Sequence, residues 1–82
     1  MKVPSGKRLR ILQLLIDKGK MTGSELLQAD PSLIRGMIYT TLHRLEKDKL
    51  ISSHIVDAGR PGSPPRYYTI TGLGQRLTSL AH

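Results

Sequence analysis

Cysteine is absent from the 82-residue chain, which excludes a disulfide framework and any thiolate metal site and leaves packing alone to hold the fold. Tryptophan and phenylalanine are missing too, and the aromatic complement is Tyr39, Tyr67 and Tyr68. The core must come from Leu and Ile, which suits packed helices better than a large sheet. Acidic side chains are scarce: 6 Asp and Glu stand against 13 Lys and Arg, a net charge of +7. On so short a chain that excess implies an anionic partner, nucleic acid first and anionic lipid second. No long apolar run exists. The longest, Ile11 to Ile16, is interrupted by Gln13 and followed by Asp17 and Lys18, too short for a membrane span or a signal-peptide core, so the chain reads as cytoplasmic with no membrane partner. His43, His54 and His82 lie far apart without ligand spacing, and neither a Gly-rich phosphate loop nor a base-oriented nucleophile occurs. No metal, no cofactor and no enzymatic activity are expected. Without repeats or a linker, residues 1–82 form one domain, of which 1–6 are a loose N-terminal arm.

What is present is organised around Ser32 to Ile51, SLIRGMIYTTLHRLEKDKLI. On a 3.6-residue period Ile34, Ile38, Leu42 and Leu45 share one stripe, with Leu33 and Met37 at its edge. Arg35, Gly36, Tyr39, Thr40, His43 and Lys47 point the other way. An ordinary solvated face carries Glu, Lys and Gln; this one carries side chains that hydrogen-bond, stack or permit close approach. Asp30 and Pro31 break any preceding helix, and Ser32 is placed to cap the next, predicted over 32–48. Upstream, Thr22 with Glu25 spells a capping box for a short helix to about Ala29. A short helix, a break and a longer helix define a helix-turn-helix.

The first helix, predicted over Lys7 to Asp17 and ended by Gly19, is apolar on two sides: Leu9, Leu12, Leu15 and Ile16 on one, Ile11 and Leu14 on the other. The second strip meets either the last helix or another subunit. Lys20 and Met21 add a brief extended segment. After the organising helix, Leu50 to Asp57 holds Ile51, Ile55 and Val56 and reads as a strand; Ala58 to Pro65 is an exposed loop rich in Gly and Pro; Arg66 to Ile70 is the returning strand. Thr71 caps a closing helix in which Leu73, Leu77 and Leu80 face inward. The expected fold class is mainly α with a small β-hairpin: a winged helix-turn-helix with a three-helix core, a two-stranded wing and a closing C-terminal helix.

The run GMIYTTLHRLEKDKLI, the proline-rich loop and PPRYYTITGLG resemble the PadR family of bacterial transcriptional regulators, over about Ile11 to Leu80. The matching points are Gly36, Ile38, Tyr39, Leu42, Arg44, Leu45, Glu46, Leu50, Ile51, Pro65, Arg66, Tyr67, Tyr68, Thr71 and Gly74. The resemblance implies a repressor-like, sequence-specific module for double-stranded DNA, with the organising helix in the major groove and the wing, 57–66, on the adjacent groove or backbone. The chain departs from the family pattern at Lys49, where Gly usually precedes the Leu-Ile pair.

The DNA-binding candidates are Ser32, Arg35, Gly36, Tyr39, Thr40, His43, Arg44, Arg60 and Arg66. Arg makes bidentate contacts to guanine, Thr touches a thymine methyl, and Gly36 lets the backbone approach the duplex. Tyr39 either bonds a phosphate or packs beneath the wing; Arg44 either bonds a phosphate or pairs with Asp48. Arg60 either enters a narrow minor groove or sits in a solvated loop. Arg66 either reaches a phosphate or braces the wing, and Lys7, Arg8 and Arg10 form a basic cluster that serves phosphate attraction or solubility. The same outward face would suit a protein-interaction or structural module that does not read DNA, the alternative from another class. Family members commonly continue into a C-terminal segment that pairs subunits, whereas this sequence stops at His82. A homodimer is therefore expected to form through Ile11, Leu14 and Leu80.

Overall fold

The computed structural model describes residues 4–33, 35–56 and 64–81. The elements run α1 (Gly6–Lys18), α2 (Gly23–Ala29), α3 (Arg35–Lys47), β1 (Ile51–Ile55), β2 (Arg66–Ile70) and α4 (Gly72–Leu80). This is the winged helix-turn-helix architecture, four helices and one antiparallel hairpin. Gly19 ends α1 at φ 90°, its N–H bonded to the Leu15 carbonyl at 2.9 Å. Thr22 and Glu25 form a complete capping box, with each side chain satisfying the other's backbone N–H at 3.1 and 2.8 Å.

The turn between α2 and α3 is built on Asp30. One carboxylate oxygen accepts both the Ser32 N–H at 3.0 Å and the Ser32 hydroxyl at 2.6 Å, and the other accepts Arg10 Nε of α1 at 2.8 Å. Ser32, placed in the sequence ahead of the next helix, donates both its N–H and its hydroxyl to Asp30 and so builds the turn that precedes α3. The helix starts at Arg35 and stops at Lys47, shorter at both ends than 32–48. The Ser32 bonds first, and then Arg10, hold the Asp30 carboxyl at a pKa of about 2.

The far end of α3 closes with a pair of hydrogen bonds, Leu50 N–H to Leu45 O and Lys49 N–H to Glu46 O, both 2.9 Å. Lys49 occupies the left-handed position at φ 64°. Leu50 drops into the core beside Leu45, and the chain enters β1.

The core is aliphatic: Ile11, Leu12, Leu15, Leu26, Leu33, Leu42, Leu45 and Ile51 are each no more than 2% exposed. Truncating Leu42 or Leu45 to Ala would cost about 2–5 kcal/mol. Both apolar strips of α1 are used, since the helix packs against α4, β2 and α2. Ile11 and Leu14, expected to serve a second subunit, are 1% and 5% exposed within the single chain. The hairpin pairs Ile51 with Ile70 through Ile55 with Arg66. Met21 adds a one-residue bridge, its N–H donating to the Tyr68 carbonyl at 3.1 Å and its carbonyl accepting the Tyr68 N–H at 2.8 Å.

Helix α4 is seated by Gly74. A Cβ there would lie 2.2 Å from the Leu50 carbonyl oxygen and 2.8 Å from Ile70 Cγ1. Thr71 Oγ1 accepts the Gly74 N–H at 3.1 Å and bonds the Lys49 and Leu50 carbonyls at 2.7 and 3.0 Å. This close approach makes Gly74, Leu77 and Thr78 the buried side of α4. Leu80, expected inward, lies roughly 100° around the helix from that side and is 65% exposed.

Candidate nucleic-acid interface

Helix α3 buries Ile38, Leu42 and Leu45 and presents Gly36, Met37, Tyr39, Thr40, His43, Arg44 and Lys47 to solvent. The period that built the core stripe thus also builds the outward face. Of the candidate residues, Arg35 opens the helix, while Arg60 lies outside the described residues. Ser32 sits exposed in the preceding turn, held by Asp30. Among the described residues, nothing beyond the adjacent residues and the helix's own backbone lies within 4 Å of a Cβ built on Gly36. Packing gives no reason for glycine at this point of the helix, and the space above it is open.

A cleft flanks α3 on each side. The wing-side cleft, about 390 Å³, is lined by Thr22, Gly23, Ser24, Tyr39, Pro64, Pro65, Arg66 and Tyr68. Tyr39 leans over Gly23, where an added Cβ would come within 2.8 Å of its ring, and remains 56% exposed. It packs on α2 with one edge and borders the wing with the other. Arg66 donates to Ser53 Oγ at 3.1 Å, and the Ser53 hydroxyl donates in turn to the Glu46 carboxylate of α3. The wing root is therefore tied to α3 through a side-chain relay, with Arg66 exposed at its outer end.

The second cleft, of similar volume at about 390 Å³, lies between the start of α1 and α3 and is lined by Ser5, Lys7, Arg8, Met37, Thr40, Thr41 and Arg44. It brings two cations from the head of α1 beside Arg44, more than 30 positions away in sequence. Along the chain these two form a local cluster with Arg10. The structure divides that cluster, because Arg10 turns to Asp30 while Lys7 and Arg8 face α3. Periodicity predicts which way a side chain points on its own helix. It carries no information about which helices lie side by side.

Three of the six acids are engaged elsewhere. Glu25 is in the capping box, Asp30 holds Arg10 and the turn, and Glu46 accepts from Ser53. No acid occurs between Arg35 and Leu45, and among the described residues Arg44 forms no ion pair with Asp48 or any other carboxylate. From Arg35 to Leu45 the outward face of α3 thus carries cationic and hydrogen-bonding side chains with exposed Met37 and no acid, and neither cleft has an acid among its lining residues. Among the described residues no group of His, Cys, Asp and Glu could hold a metal, and no helix is long and apolar enough to cross a membrane.

A helix-turn-helix whose open second helix carries no acid from Arg35 to Leu45, with a basic flank and a hairpin wing, is a nucleic-acid-binding module of the winged-helix class. The sequence model of the transcriptional regulator PadR-like family matches residues 11–79, and the chain belongs to that family. It is accordingly a DNA-binding transcriptional regulator and not an enzyme. A PadR-like transcription factor from Bacteroides fragilis is similar over 92% of this chain and 75% of its own, at 28% identity and a TM-score of 0.81. The HTH-type transcriptional regulator YtcD is similar over 95% of this chain and 76% of its own, at 26% identity and a TM-score of 0.81. A PadR-family regulator from Eggerthella lenta shares the fold at 20% identity, with a TM-score of 0.80 over 92% of this chain and 67% of its own. No curated protein matches the chain by sequence.

Proposed function

We propose that the protein is a sequence-specific repressor that lays α3 in the major groove of duplex DNA and sets its wing on the adjacent groove or backbone. The observation that carries this reading is the outward face of α3, where Tyr39, Thr40, His43 and Arg44 are exposed together in a stretch, Arg35 to Leu45, that holds no acid. Arg35, Thr40 and His43 are assigned to base edges, where Arg and Thr have matching partners on guanine and thymine. Gly36 admits the sugar-phosphate backbone close to the helix. Tyr39, Arg44 and Arg66 are assigned to phosphates, with Arg60 in the neighbouring groove. Ser32 borders the same surface.

One recognition helix reads only a short half-site, so a cytoplasmic homodimer on a palindromic operator follows. With Ile11 and Leu14 in the core, the exposed Leu80 is the remaining member of the expected dimer surface. The test is selection of bound duplexes from random sequence, followed by titration of the selected and a scrambled duplex. A recurrent site, preferred over the scramble and bound less tightly as salt rises, is the expected result. Equal, salt-insensitive affinity for both duplexes would overturn the reading.

A further inference from the structure

Resting on that DNA-binding reading, we propose that the cleft between α1 and α3 clamps the phosphate backbone of one DNA strand, so that Lys7 and Arg8 fix the register of α3 without reading sequence. Four observations meet in this cleft. Lys7, Arg8 and Arg44 line it, Ser5 and Thr40 add hydroxyl donors, and no acidic residue takes part in its walls. None of the three cations forms an ion pair among the described residues, whereas their neighbour Arg10 does. Thr40 and Arg44 belong to the outward face of α3, one turn apart, so a strand running past that face enters the cleft. The wing and its Arg66 stand on the opposite flank of the same helix, as a helix seated in a major groove requires if the two flanking strands are both to be held.

The head of α1 is also poorly suited to its own helix. Lys7 and Arg8 stand in the first turn, where the macrodipole disfavours cations; that turn holds no acid, and Ser5 makes no side-chain capping bond. The arrangement weakens the helix while it has no counter-charge and becomes favourable once an anion lies in the cleft. Of anionic partners, duplex backbone is the one that α3 presents at the same place.

The experiment compares the full chain with a Lys7→Ala/Arg8→Ala variant and with a Lys18→Ala/Arg76→Ala variant, which loses the same charge at exposed sites outside both clefts. Each is titrated against the selected duplex and its scramble over salt concentrations from roughly 50 to 300 mM, with thermal unfolding to verify folding. Removing two phosphate neutralisations should lower affinity by roughly tenfold or more near physiological salt and reduce the magnitude of the log-affinity against log-salt slope by about 2, equally on both duplexes. The Lys18/Arg76 variant should stay within about twofold of wild type, as expected for exposed, screened charges that line neither cleft. If the Lys7/Arg8 variant matches that control while wild type retains site preference, the clamp is wrong and the DNA reading stands. A weakening confined to the selected duplex would overturn the phosphate assignment in favour of base contact. A wild-type chain that binds neither duplex overturns both proposals.

Discussion

Lys49 holds a left-handed backbone conformation, φ 64°, at the point where α3 turns into β1. For an L-residue with a Cβ, that conformation costs roughly 1–2 kcal/mol, whereas glycine adopts it freely. The hydrogen bonds on either side, Lys49 N–H to Glu46 O and Leu50 N–H to Leu45 O at 2.9 Å, require that conformation. Replacing Lys49 by Gly removes the steric cost, though part of the gain is returned through the greater freedom of glycine in the unfolded chain. It also removes a cation from the negative end of the α3 dipole, a loss of a few tenths of a kcal/mol. The net expectation is a gain of about 0.5–1 kcal/mol. Against a total stability of about 4–12 kcal/mol for a domain of this length, that raises Tm by roughly 2–8 °C. Lys49→Ala is the control. It removes the same side chain and charge but keeps the Cβ, so the difference between the Gly and Ala variants isolates the backbone term at about 1 kcal/mol. Denaturant and thermal unfolding followed by circular dichroism measure both. A Gly variant no more stable than the Ala variant would refute the view that α3 ends on a strained residue.

Gly36→Ala should act in opposite directions on folding and binding: thermal stability rises by about 0.5 kcal/mol because alanine favours the helix, while duplex affinity falls if the backbone there lies close to DNA. An unchanged affinity would remove Gly36 from the interface. Gly74→Ala should cost about 2 kcal/mol or more, since its Cβ would fall 2.2 Å from the Leu50 carbonyl, and unfolding curves indistinguishable from wild type would show that α4 is not seated as described. Thr40→Ala or His43→Ala should lose roughly 1–3 kcal/mol on the selected duplex and narrow its margin over the scramble, with Tm little changed. Asp30, held at about 2 against an ordinary 3.8, should contribute stability that is full above about pH 5 and lost as pH falls toward 2. The Tm gap between wild type and Asp30→Asn should therefore close in acid, and a gap that stays constant from neutral pH down to about pH 2.5 would contradict the assignment.

Much of this molecule was legible from local pattern. The capping box at Thr22, the break at Asp30 and Pro31, the stripe through Ile38, Leu42 and Leu45, and the glycine stop at Gly19 each involve residues within a turn or two of one another, where sequence spacing and spatial spacing coincide. Where the structure departs from local pattern at α1 and α4, the cause is contact between distant segments. The two-sided apolarity of α1 was visible, but whether α4 or a second subunit would cover Ile11 and Leu14 depended on how closely α4 could approach. The Leu80 stripe misled because the bare Gly74 surface, pressed on the Leu50 carbonyl, sets the rotation of α4. At Ser32 the added feature is local: Asp30, two residues earlier, accepts both its N–H and its hydroxyl and builds the turn ahead of α3. At the interface, the outward residues of α3 followed from periodicity, while the grouping of Lys7 and Arg8 with Arg44 required the packed helices.

Burial along the hairpin is uneven. At its root Ile51 and Tyr68 are 2% and 6% exposed, Met21 pairs its backbone with Tyr68, and Leu50 is bonded to Thr71. Beyond the pairing of Ser53 with Tyr68, His54, Ile55, Val56, Pro64, Pro65 and Arg66 are all exposed. Folding free energy is thus concentrated at the root of the hairpin, and the outer half contributes little to it. Substitutions at His54, Ile55, Val56, Pro64 or Pro65 should therefore be nearly neutral for stability, and the outer part of the described hairpin can vary without endangering the domain that carries it.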